Sequence, residues 1–406
     1  KPSADGNLIA GKGEFSTLVA LPDGGWERRY KDGNSIIFNA DGLQTAEVDT
    51  QGNRREFAYN DDGSLATITD QVGGVTTMAY DARGRLATVT YPDGRTTAFD
   101  YQDVQLVGVT EPDGDAVSFA YDEFGRLNST INQNGNETVY THDDTGKMNG
   151  ATLPDGSSIR NQVASSLGLV DGLGGAVGNP RPYVAPEDRV TTVTDRKGEV
   201  SEVIVNSFGS TVQVTDPIGR VTRMERDFND LVERLERPSE GVSSGVRVDL
   251  LSYDNRANVT QMVEAFGTPD QRTVAYVYEP EFNKVTSMTD GDGFTTTYTY
   301  DSFGEMTSMT DPEGGVQRRA YTSRGKLFSR TDERGNVTRF SYLANQNLGS
   351  ITYADGSVTE MSYDARGNAT EITESAGSDT ARTVVRTFDS DNRVTSIDVI
   401  DDTVGA

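Results

Sequence analysis

His142 is the chain's single imidazole, so a hydrolytic triad would depend on it as the base. It stands in Tyr140-Thr141-His142-Asp143-Asp144, at what reads as a repeat position where other copies carry Asp or Ala. That context assigns it to a turn or surface place and not to catalysis. Asp and Glu together number 63, ample for an acid–base pair. They recur at fixed places, however. Asp81, Asp122, Asp301 and Asp364 each follow a Tyr, where a carboxylate can accept a backbone N–H two residues on and fix a turn. Asp290-Gly291-Asp292-Gly293 and Asp61-Asp62-Gly63 offer oxygens suited to calcium, but neither has EF-hand spacing. The absence of cysteine excludes disulfides, thiolate metal sites and cysteine nucleophiles. No phosphate-binding or dinucleotide fingerprint falls between a strand and a helix. The expected catalytic, cofactor-binding and metal-ligating sets are therefore all none, and no enzyme activity is expected.

Composition points the same way. Hydrophobic residues make up 34%, low for a compact domain, while glycine reaches 43 residues. This suits a thin sheet wetted on at least one face. A net charge of −26 repels phosphate backbones and anionic lipid, so no nucleic-acid partner is expected. No apolar run approaches the ~18 residues of a membrane-spanning helix. The first residue is Lys1 and not Met, so the chain reads as a piece of a longer polypeptide.

The elements that would position these groups come from an internal repeat. Phe38, Tyr59, Tyr80 and Tyr101 are spaced 21 residues apart, as are Tyr300, Tyr321, Tyr342 and Tyr363. Tyr121 and Tyr140 follow the first series at shorter steps, Tyr253 and Tyr278 join at longer ones, and Phe388 ends it. The surrounding text repeats as Tyr80-Asp81-Ala82-Arg83-Gly84-Arg85-Leu86, Tyr121-Asp122-Glu123-Phe124-Gly125-Arg126-Leu127 and Tyr300-Asp301-Ser302-Phe303-Gly304-Glu305-Met306. Gly84, Gly125, Gly304 and Gly367 lie four residues after the anchor, and Gly73, Gly94, Gly314 and Gly356 fourteen after one. Glycine adopts positive φ at little steric cost, so each marks a tight turn. Two turns per repeat leave two strands of roughly six residues, one antiparallel hairpin per repeat.

Parity along the strand adds detail. Two residues before the anchor stands a large apolar group such as Phe57, Met78, Phe99 or Phe340. The residue between is small or polar: Ala58, Ala79, Asp100, Ser341. Side chains two apart share a face, so stacked repeats are expected to build an aromatic ladder on one face. The series breaks at a Gly/Pro-rich stretch and resumes near Thr191. The expected division is 1–37, a divergent opening segment with the first repeats; 38–162, a repeat block; 163–190, an insertion or crossover; and 191–406, a second block. Trp26, the only tryptophan, is expected to pack in the opening segment.

The Tyr-Asp-x-x-Gly-x-Leu core at this spacing resembles the YD-repeat, or Rhs-repeat, family, over about 38–388. That family includes the shells of bacterial Rhs polymorphic toxins, insecticidal toxin complex C components and teneurins. The resemblance implies an all-β fold: tandem antiparallel β-hairpins in a long spiralling sheet, shell- or barrel-like and hollow. Tyr59, Tyr80, Tyr101, Tyr121, Tyr300, Tyr321, Tyr342, Tyr363, Gly84, Gly125, Gly304 and Gly367 become its structural repeat anchors. It further implies a secreted or cell-surface bacterial protein whose shell encloses and helps deliver a toxin or other polypeptide. Its partners would be its own N- and C-terminal segments, an encapsulated toxin, and surface or secretion machinery. The other reading is a cell-surface scaffold for adhesion or assembly, without cargo. The aspartate pair by which toxin members release their cargo has no counterpart here. Asp216 and Asp311 open internal turns.

Overall fold

The computed structural model describes residues 15–163, 190–206, 208–239, 245–376 and 380–403. They form one antiparallel sheet of 34 strands, from β1 (Thr17–Ala20) to β34 (Val394–Thr403), with no helix among the described residues. Every strand pairs with its sequence neighbours, so spatial order follows chain order. Among the described residues β1 and β34 do not pair with each other, and the sheet stays open.

One repeat shows why. In β5 (Arg54–Tyr59), β6 (Leu65–Thr69) and β7 (Val75–Tyr80), threonines and aromatics suit a pleated, half-covered surface. β6 and β7 are joined through Asp70, whose N–H donates to the Gly74 carbonyl while the Gly73 N–H returns to the Asp70 carbonyl. Gly73 has φ +90°, the left-handed place that closes a three-residue hairpin loop. The next turn, at Asp81–Arg85, repeats this pattern with Gly84 at φ +75°. A bulge follows it: Tyr80 pairs with Leu86 but Ala79 with Thr88. Turns after odd-numbered strands thus form one edge of the ribbon, here the anchor edge. Turns after even-numbered strands form the opposite, far edge.

The Gly/Pro-rich stretch expected at 163–190 lies almost wholly outside the described residues. β15 (Ser158–Val163) and β16 (Val190–Thr194), which flank it, pair directly with Arg160 opposite Thr194. The hairpin ladder therefore continues through that point. The first fourteen residues of the 1–37 segment are also outside the described set. Trp26 lies on β2 (Trp26–Arg29) opposite Ala20 and Phe38, half-buried.

Packing is thin. Ala46 and Ala265 are the buried hydrophobic residues, and no large side chain is fully buried among the described residues. The chain exposes 25178 Å² of surface. A compact monomer of its mass would expose about 15,000 Å². One face carries Phe57 and Tyr59, Met78 and Tyr80, Tyr298 and Tyr300, all half-buried, while Ala58, Ala79 and Thr299 between them are exposed. The alternation matches expectation; the aromatic ladder does not form. Anchors occur on every second strand, about 10 Å apart, too far for rings to meet. The intervening strand places an aliphatic between them: Ile68 opposite Phe57, Val89 opposite Met78, Met309 opposite Tyr298.

Candidate functional site

Seven of the eight named anchor tyrosines tie their hairpin to the one before. The Tyr80 hydroxyl donates to the Leu65 carbonyl at 2.8 Å, and Tyr121 to Leu106, Tyr300 to Val285 and Tyr363 to Leu348 repeat the bond fifteen residues back. Tyr59, Tyr321 and Tyr342 do the same. The acceptor sits at the start of a bulged strand, where the ladder gives its carbonyl no regular partner. Burial pushes the Tyr300, Tyr321 and Tyr342 phenols above their ordinary range. Tyr101 differs: the Arg85 guanidinium lies 4.5 Å above its ring.

The aspartate after the anchor serves the turn. Asp81 Oδ1 accepts the N–H groups of Arg83 and Arg85, and Oδ2 accepts Arg85 Nε at 2.7 Å. The Arg85 hydrogen bond is the main reason its carboxyl is lowered to about 2. Asp122, Asp301 and Asp364 accept the corresponding pairs of N–H groups. Asp290 spends Oδ1 in the same way on Asp292 and Phe294, and Asp62 Oδ1 accepts from Ser64, so the two Asp-Gly runs read as turns. Gly84, Gly125, Gly304 and Gly367 all have φ between 75° and 86°.

His142 is placed differently from the expectation. It ends β13 (Glu137–His142), half-buried, and pairs with Met148 across a bulge. This is the anchor position itself, with Asp143 accepting the N–H groups of Thr145 and Lys147 and Gly146 at φ +85°. Tyr140, read above as an anchor, occupies the place two before it. Two further anchor positions carry no aromatic. Val205 precedes the Asn206 turn, and Arg226 precedes the Asp227 turn. Arg226 Nε donates to the Thr211 carbonyl at 3.1 Å, again fifteen residues back, replacing the tyrosine hydroxyl. The Asp/Asn-x-x-Gly signal at 143–146 and 206–209 was present without its tyrosine.

The arrangement that no local pattern marks is a seam. Far-edge turns near the start of the ribbon meet anchor-edge turns near its end. Arg256 Nη2 donates to the Lys31 carbonyl at 2.9 Å, 225 residues away. Gln51 Nε2 donates to Glu305 Oε1 at 2.9 Å and Asn53 Nδ2 to the Arg324 carbonyl at 3.3 Å, at separations of 254 and 271. Arg95 donates to the Ser390 carbonyl, 295 residues on. Arg393 reaches Asp113 at 2.6 Å and Asp115 at 3.2 Å. Phe282 lies between Gly33 of the early turns and Gly304 of its own coil; a Cβ on either glycine would come within 2.7 Å of its ring. The ribbon therefore coils until its far edge rests on its own anchor edge.

The seam also holds an open cleft of about 730 Å³, with Asp49, Asp70 and Arg54 on one side and Lys326, Asn345 and Asn347 on the other. Nearby, the carboxylates of Asp113, Asp115 and Asp391 converge within 4.8 Å. The Arg393 guanidinium is the cation they hold. A hydrogen bond between Asp391 and Asp113 raises the first carboxyl and lowers the second.

Four segments, residues 59–96, 99–132, 280–316 and 342–379, match the RHS Repeat family model. No curated protein matches the chain. Among solved structures it is similar to the crystal structure of TcdB2-TccC3-Cdc42, with a TM-score of 0.52 and 12% identity over 94% of this chain and 22% of that one. It is also similar to the Tc holotoxin pore of Photorhabdus luminescens with a mutated TccC3, with a TM-score of 0.44 and 14% identity over 96% of this chain and 24% of that one. The chain thus spans less than a quarter of the length of either solved chain.

Proposed function

We propose that this chain, an RHS-repeat protein, is a segment of shell wall that encloses a polypeptide and helps deliver it from a bacterium that secretes or displays the shell. The observation carrying this reading is the seam, which turns a sheet with uncovered faces into a tube. A circuit takes 19 to 25 strands, counting from turn to turn across the seam contacts. At ~4.8 Å per strand that is a circumference of about 100 Å and a diameter near ~30 Å. Side chains on the inner wall leave about 20 Å. An extended chain or an α-helix, ~10–12 Å across, fits this width, whereas a folded domain of ordinary size, roughly 40 Å across, does not. The cargo is accordingly a polypeptide held without its tertiary fold. The chain's own role is that of a wall, without catalysis, since the turn aspartates named above are engaged with backbone N–H groups.

The test uses the complete gene product. Protease is added to the intact protein and to a form whose seam has been opened by Arg393→Glu together with Gln51→Glu. A segment outside the repeats that survives in the first and is digested in the second supports enclosure. Digestion at equal rates in both contradicts it. A scaffold without cargo is the second reading, favoured by the exposed edges of the ribbon. It would show no segment protected in either form.

A further inference from the structure

Positive charge is unevenly spread along this acidic chain. Between 314 and 347 seven Lys and Arg stand against two Asp and Glu, although the net charge of the whole is −26. Two of these arginines, Arg318 on β27 (Val316–Tyr321) and Arg339 on β29 (Val337–Tyr342), occupy the place three residues before an anchor. Other repeats put Glu56, Thr77, Ala98, Ser118 or Thr297 there, so the hairpin itself does not call for arginine. Where an earlier repeat does carry one, Arg223, a glutamate stands directly opposite: Glu236, 3.8 Å from its guanidinium. Arg318 instead has Thr331 opposite, and Arg339 has Thr352. Both are exposed, and neither has an ion pair or a side-chain hydrogen bond among the described residues. Acids of the adjoining turns are engaged elsewhere. Asp311 accepts the Gly315 N–H, Asp332 accepts those of Arg334 and Asn336, and Glu333 accepts from Gln317.

Directly paired residues share a face of a sheet, as do residues two apart on one strand. Ser308, Arg318 and Thr331 therefore lie on one face with Ser329 and Arg339. The strand between the arginines, β28 (Leu327–Thr331), sets Thr331 beside the first and Ser329 beside the second. Strand spacing and rise put the two arginine Cα atoms about 12 Å apart. Their side chains can converge above the two hydroxyls, at an open cleft of about 450 Å³ that runs along Thr307, Ser308, Arg318, Ser329 and Thr331. A carboxylate is planar, carries one charge and is filled by one guanidinium fork. A tetrahedral dianion uses both forks from opposite sides and balances both charges. We propose that this place binds a phosphate group, held between Arg318 and Arg339 over Ser329 and Thr331. It lies on a face of the sheet, so a further coil stacked against either edge leaves it open. It does not depend on what the coil encloses.

Phosphorus NMR of inorganic phosphate at constant ionic strength reads the site. Adding the chain should give a saturable shift with one phosphate bound per molecule. Arg318→Ser and Arg339→Ser should each weaken binding at least tenfold. Arg339→Lys keeps the charge but loses the fork, and should weaken it as well. Arg386→Ser removes the same charge from the last hairpin and should change nothing. A neutral peptide bearing one phosphoserine separates the sources of the group. Tighter binding than phosphate assigns the site to a phosphorylated polypeptide, and equal or weaker binding to a small phosphate. Circular dichroism confirms that each variant is folded, and either serine variant stands alone if the other is not. A wild-type chain that gives no saturable shift overturns the proposal. So does acetate that displaces phosphate at equal concentration, or a folded Arg318→Ser or Arg339→Ser chain that binds like wild type.

Discussion

Arg393 donates to Asp113 Oδ2 at 2.6 Å across 280 residues of sequence. Asp113 is largely buried there, with 8% of its side chain exposed, although it sits at a turn tip. Local structure gives no reason for that burial. It follows from the late turn at 389–393 lying on the early turn at 111–115, so this contact reports the coil directly.

The neighbouring Asp391 provides a pH test of the same contact. Its folded pKa is raised by the hydrogen bond to Asp113, so its contribution is present when it is protonated and is lost as pH rises through the folded value. Asp113 is lowered, and its contribution is lost as pH falls through its own folded value. Amide protection at 111–115 should therefore be greatest around the ordinary carboxyl value of 3.8 and fall on either side of it. Asp391→Asn keeps a donor without a charge and should flatten the neutral side of that profile. Hydrogen exchange followed by mass spectrometry checks it.

Tyr80→Phe removes one hydroxyl bond to Leu65 and nothing else from the strand. The expected cost is about 1 kcal/mol. In a repeat ribbon it should appear as faster exchange in β6 and β7 and not at distant hairpins. Arg226→Tyr should be tolerated, because a tyrosine hydroxyl there can reach the Thr211 carbonyl that Arg226 now serves. Chemical denaturation of both variants would show the contrast.

Much of this repeat was readable from sequence, because each hairpin states its needs locally. Asp-x-x-Gly is demanded by the turn, and the alternation of Phe57, Ala58 and Tyr59 by one half-covered face. His142, Val205 and Arg226 stand at anchor positions but lie outside the Tyr/Phe series that marks the others. The position requires only a side chain that can flank the bulge, and Arg226 supplies the hydrogen bond by another group. The expected aromatic ladder failed on distance, since it omitted the strand carrying Ile68 and Val89. The seam left no periodic mark at all. Its contacts are between turn-tip side chains such as Gln51 and Glu305, which look like solvated polar residues when read one hairpin at a time.

Two glycines of identical backbone type separate a packed turn from an open one. Gly304 has φ +79° and Gly314 has φ +88°, so alanine strains both by about 1 kcal/mol. A Cβ on Gly304 also meets the Phe282 ring at 2.7 Å, while one on Gly314 meets nothing within 4 Å. Gly304→Ala should therefore cost roughly 1–2 kcal/mol more than Gly314→Ala. Urea denaturation midpoints decide this, and equal midpoints would remove the Phe282 ring from its place over Gly304.

Acid should loosen the anchor turns in a stated window. Asp81 is lowered to about 2, chiefly by the Arg85 side chain, from an ordinary value of 3.8. The stabilisation it lends is present above that ordinary value and disappears as pH falls through the folded one. Carboxyl NMR titration should find Asp81 still ionised at pH near 3, and Arg85→Ala should return it toward the ordinary value.

The coil itself can be measured as a single distance. The chain has no cysteine, so Asn53→Cys and Arg324→Cys introduce two unique labelling sites. Asn53 and Arg324 touch across the seam at 3.3 Å, 271 residues apart in sequence. Pulsed electron–electron resonance between spin labels at these sites should give one short separation of about 20–30 Å in the monomer, the label arms accounting for most of it. An uncoiled ribbon would hold the same sites 23 strands apart, about 110 Å at the ordinary strand spacing, and no short distance would be seen.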